Sequence, residues 1–121
     1  MSGDFRILPH DPVAEQSVLG SIFISPNSII SIADELVPDD FYKPANKIVF
    51  KTMLSLLVKG EPIDATTMVS ALTNQGDISK IGGINYVVEL VNSTPTAKNV
   101  EHYAKLVKEK ATLRKVIAAL S

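Results

Sequence analysis

The sequence has no cysteine and no tryptophan, only two histidines, and aromatic residues at 6% of its 121 positions. Without cysteine there is no thiol nucleophile, no disulfide scaffold and no cysteine-ligated zinc or iron–sulfur site, and a reducing compartment is the expected setting. Long apolar runs are missing too: stretches such as Leu56 to Val58 last a few residues, against the roughly 20 needed to span a bilayer. The opening MSGDFRILPH lacks the basic and apolar regions of a signal peptide. No membrane association is expected, and the cytoplasm is the expected location. Internal repeats and low-complexity stretches are absent as well. What remains is a chain 45% apolar and 21% charged, the balance of one globular domain large enough to bury a core of its own.

Chemical machinery is equally sparse. His10 and His102 lie in different segments, and neither has a second ligand at helical spacing, so no metal site is expected. Gly82 and Gly83 lack the third glycine and the Lys-Ser or Lys-Thr of a phosphate loop, and read as a turn. Of the neighbouring acids, Asp34 and Glu35 point about 100° apart on a helix and read as a solvated face, while Asp39 and Asp40 sit where a loop or helix cap is expected. No G-x-S-x-G elbow activates a serine. The chain is therefore expected to hold no catalytic, cofactor-binding or metal-binding residue and not to act as an enzyme.

Helix punctuation, by contrast, is dense. Asp11-Pro12 starts a first helix to about Ile24, with Ala14, Val18, Leu19, Ile22 and Phe23 on one face. Ser25-Pro26 starts a second, carrying Ile29, Ile30, Ala33, Leu36 and Val37 up to Pro38. A third, from about Pro44 to Lys59, is apolar around much of its circumference and is expected in the middle of the domain, with Gly60 at its left-handed end. Asp64 caps a fourth helix that reaches about Gln75. Gly82-Gly83 opens a fifth, closed by Asn92 to Pro95, and a final helix runs from about Ala97 to the chain end. No clean alternation of a strand persists and no hairpin signal appears. The expected fold is all-α, a compact bundle of about six helices. Residues 1–10 are expected to be a flexible segment, 11–96 a globular helical head, and 97–121 a C-terminal helix.

That last segment differs in charge. Residues 1–96 balance to −5 and residues 97–121 to +4. A nucleic-acid or acidic-partner surface is one reading. A solvated helix face is the preferred one, because arginine is scarce there. The helix also carries two apolar stripes. Val100, Tyr103, Ala104, Val107 and Ala111 can close the domain's own core. Leu106, Leu113, Val116, Ile117 and Leu120 cluster about a third of a turn away, and their far end is expected to lie beyond the body as an association surface.

The words AEQSVLGSIF, DDFYKPANKIVFKTM, KGEPIDATTMVSAL, IGGINYVVEL and TPTAKNVEHYAKLVKEKATLRKVI occur in that order. Together they resemble the N-terminal domain of the bacterial DnaB-type replicative helicases, from about Asp11 to Leu120. The resemblance implies a helical head followed by the first arm of a helical hairpin, truncated here. It further implies paired subunits forming a collar above a hexameric ring, a docking site for a DnaG-type primase, and possible contact with a helicase loader. ATP and Mg would belong to the motor domain of an ATP-dependent 5'-3' DNA helicase, which this sequence does not contain. Carried over by position, Tyr86 and Ile117 look like members of the partner-facing surface, and Glu15 is a weaker candidate. Tyr86 as a core anchor and Glu15 as a first-turn acid favouring the helix dipole remain open alternatives. With Leu113, Val116 and Leu120 these complete the set of interface candidates. The competing reading is a small helical DNA-binding module using the basic last helix; under the resemblance, DNA contact by this domain is weak or absent.

Overall fold

The computed structural model describes residues 7–121, so part of the 1–10 segment lies outside the described residues. Six α-helices follow one another: α1 Pro12–Ile24, α2 Ile29–Glu35, α3 Pro44–Lys59, α4 Ala65–Asn74, α5 Ile84–Val91 and α6 Val100–Leu120, with no strand among the described residues. Their starts follow local chemistry. Asp11 accepts the Ala14 N–H at 3.0 Å. Asp64 accepts the Thr67 N–H at 2.8 Å while the Thr67 hydroxyl accepts the Asp64 N–H at 3.0 Å, a reciprocal cap. Gly60 ends α3 at φ 71°, and Gly82 and Gly83, at φ 100° and 83°, make the turn into α5 that only glycine adopts without strain.

The middle of the bundle is α1, not α3. α1 packs against α3, α5 and α6, and from Ala14 to Ile22 every residue but the half-buried Gln16 is buried, Ser17, Gly20 and Ser21 included. Small side chains explain it: they add little bulk, so three neighbours approach one helix closely. A Cβ on Gly20 would lie 2.2 Å from Ser93 Oγ and 2.7 Å from Leu90 O on the α5 side. Helix α3 is instead two-faced. Val49, Phe50, Met53 and Leu56 are buried, whereas Leu57 and Val58 are exposed.

Two further expectations shift. The second helix opens with a 3-10 turn, Pro26–Ser28, and its α-helical part ends at Glu35, Leu36 and Val37 being extended ahead of Pro38. Pro38 disfavours helical backbone at the residue before it, so the helix stops early. The final helix starts at Val100 rather than Ala97. Its first stripe closes the core as expected, Val100, Ala104, Val107 and Ala111 being buried. Leu106 packs against that core and does not belong with the exposed set.

Candidate interaction surface

Two regions hold the residues singled out by the sequence. In the head, Glu15 is 2% exposed and Tyr86 6% exposed, so neither offers its side chain broadly to a partner. They are the two ends of one buried polar network. The Tyr86 hydroxyl donates to Asn46 Oδ1. Asn46 Nδ2 donates to Glu15 Oε1 at 2.8 Å, and Glu15 Oε2 accepts the Tyr42 N–H at 2.7 Å. The carboxylate thus sits at the positive end of α3, whose flanking residue Lys43 brings no side-chain cap. Glu15 is a first-turn acid of α1 as the sequence suggests, but the helix it caps is a different one. Burial pushes the Tyr86 hydroxyl up from 10.0 to about 12, and the carboxylates of Glu89 and Glu15 add to the effect. The Lys43 ammonium lies 4.2 Å from the centre of the Tyr86 ring. Asn46, the middle of the network, was not singled out by sequence reasoning; its place in the word PANK beside the helix start was the available signal. Around this network His10, Pro12, Gln16, Tyr42 and Lys43 line a cleft of about 230 Å³.

The second region is the end of α6. Ala111 is its last buried residue, and beyond it Leu113, Val116, Ile117 and Leu120 are 47%, 49%, 38% and 82% exposed. They recur at helical spacing and form one stripe with no cover among the described residues. Where α6 leaves the body, it frames with Glu35 of α2 an open groove of about 520 Å³ that reaches Leu113.

Two of the six cations of the basic segment are committed inward. Lys108 pairs with the buried Asp40 carboxylate at 3.2 Å, and Arg114 donates to the backbone carbonyls of Pro9 and Asp40. Asp40 also accepts the Val37 N–H at 2.9 Å, capping the 3-10 turn Pro38–Asp40 as the sequence suggested for this pair of acids. Lys108 and Arg114 as fastenings of α6 went unnoticed in the sequence, because their partners lie 68 and more residues away. Among the described residues no cluster of three metal-ligating side chains occurs, and no helix is long and apolar enough to cross a membrane.

The model of the DnaB-like helicase N-terminal domain matches residues 7–109. The chain belongs to that family. It is 43% identical over 112 residues to the replicative DNA helicase DnaC of Bacillus subtilis, a match covering 93% of this chain and 25% of the relative. Among solved structures, the N-terminal domain of DnaB helicase from Mycobacterium tuberculosis superposes with a TM-score of 0.90 at 42% identity, covering 93% of this chain and 78% of that one. A DnaB-like replicative helicase studied for its interactions with primase superposes with a TM-score of 0.79 at 29% identity, covering 89% of this chain and 25% of that one. The chain thus corresponds to the N-terminal domain of replicative helicases and spans about a quarter of the length of the curated relatives it matches; their motor domain lies outside the match.

Proposed function

We propose that the chain is a non-catalytic interaction domain of a replicative helicase, supporting assembly of the subunits into a collar and docking a primase during DNA replication. ATP and Mg would be handled by the motor of the parent protein, in the cytoplasm, and a helicase loader is a further candidate partner. The observation that carries this reading is the exposed stripe Leu113, Val116, Ile117 and Leu120, on a helix that extends past its last buried residue. Covering an aliphatic side chain contributes roughly 1.5 to 3 kcal/mol before the entropy of association is subtracted, so four in a row suit a subunit or partner contact. The network from Tyr86 to Glu15 supports a second, indirect role: it fixes Tyr42 and Lys43 at the rim of the head cleft. The DNA-binding alternative is weakened by the inward commitment of Lys108 and Arg114.

Sedimentation across a concentration series, alone and with the C-terminal fragment of a DnaG-type primase, tests the reading. The expected result is a concentration-dependent rise in mass and a complex with the primase fragment. Replacing Ile117 and Leu120 with aspartate is expected to remove the rise in mass while helical content and the unfolding midpoint stay nearly unchanged. Unfolding of the whole head by this double substitution, or a wild-type chain that binds neither itself nor the primase fragment, overturns it.

A further inference from the structure

The side chain that last fastens α6 to the body is Arg114. Its guanidinium reaches two carbonyls from different segments, Nη1 donating to Pro9 O at 2.8 Å and Nη2 to Asp40 O at 2.6 Å. Its central carbon lies 5.4 Å from the centre of the Tyr42 ring. His10 stacks on the same ring, with centroids 4.2 Å apart and planes 18° apart, and its Nδ1 is 2.8 Å from Leu8 O. One planar fork therefore ties together the segment before α1, the turn before α3 and the end of α6. A lysine ammonium, a point charge on a flexible stem, does not reproduce that geometry. The neighbouring ion pair of Lys108 with Asp40 holds α6 to the turn alone. Past Arg114, residues 115–120 are all exposed.

We propose that Arg114 is a latch coupling the seating of His10 on Tyr42 to the direction in which the exposed end of α6 leaves the head. While the latch is closed, the stripe from Leu113 to Leu120 projects along one fixed line. When the segment at Pro9 and His10 lifts off, Arg114 loses one of its two carbonyls and the end of α6 swings. The coupling is a free energy between two places in the chain, so it acts in both directions: disturbing either end must be felt at the other. It holds whatever partner covers the stripe, and its failure is separable from failure of the interaction reading.

The chain has no cysteine, so spin labels can be placed at Asn74→Cys and Ala119→Cys, both exposed positions. Pulsed EPR at dilutions where a singly labelled control shows no intermolecular signal then reads the direction of α6. Proton NMR reads His10, one of only two histidines, through the ring-current shift from Tyr42. Arg114→Met is expected to move the His10 signal toward that of free histidine and to broaden the distance distribution at least twofold. Arg114→Lys is expected to act in the same sense, and His10→Ala to broaden the distribution although Arg114 is intact. Lys108→Met is expected to leave the His10 signal in place. Should Arg114→Met fail to fold, Arg114→Lys and His10→Ala decide. An unmoved His10 signal in the Arg114 variants, or an unchanged distribution in His10→Ala, overturns the latch.

Discussion

Glu15 illustrates what one side chain does here. Its oxygens take up the Tyr42 N–H and the Asn46 amide at a carboxylate that is itself buried, and truncating it takes the partner from those donors, at about 1–3 kcal/mol for each left unsatisfied. Glu15→Ala is therefore expected to lower stability by about 3 kcal/mol, read from urea unfolding by linear extrapolation. Tyr86 gives a dependence on pH. Its hydroxyl is pushed up from 10.0 to about 12 by burial. An unfolded chain releases this proton first as pH rises, so the contribution of Tyr86 is complete below the ordinary value and is lost as pH climbs through the folded one. Urea midpoints measured from neutral pH into that alkaline range are expected to fall, and to fall less in Tyr86→Phe. An equal slope in both proteins removes Tyr86 as the cause. The sequence marked both residues and left a core position open for Tyr86, but did not show the network that joins them, because their hydrogen-bond partners stand 27 to 40 positions away.

Among the elements, the caps were legible and the packing order was not. Asp11, Asp64 and Gly60 act on backbone groups within four residues of themselves, which is why their helix boundaries can be read locally. The central position of α1 depends instead on how closely three other helices approach it. Its polar and small residues obscure the apolar face on which a sequence reading relies. Gly20 marks the seam: Ser93 Oγ stands 3.0 Å from Gln16 O and 2.7 Å from Leu90 O, joining α1 to the end of α5. Glycine to alanine inside a helix ordinarily adds about 1 kcal/mol of stability. In Gly20→Ala the new methyl meets the Leu90 carbonyl at 2.7 Å, and overpacking of this kind costs about 1–3 kcal/mol. A net loss in thermal unfolding is expected, and a gain shows that the seam opens freely.

For the whole molecule, the charge asymmetry is the property most easily misread. Six cations in residues 97–121 suggest a phosphate surface, but Lys108 and Arg114 face the body, and Glu101 and Glu109 interrupt the rest. Binding to a labelled single-stranded oligonucleotide is expected to be negligible at physiological salt. Saturable binding that falls steeply with salt, as counterion release requires, and that depends on Lys105, Lys110 and Lys115 favours the DNA-binding module instead. The sequence alone determined the all-helical class, the ends of α1, α3 and α4, and the buried stripe of α6, since each follows from local backbone chemistry or from a 3.6-residue period. Its resemblance pointed to the family to which the chain belongs. Only the tertiary structure decided that α1 is the centre, that Glu15 caps α3, and that Arg114 binds Pro9 to the end of α6. These contacts join residues 27 to 105 positions apart, and such pairings are set by how the helices cross, which no local pattern encodes.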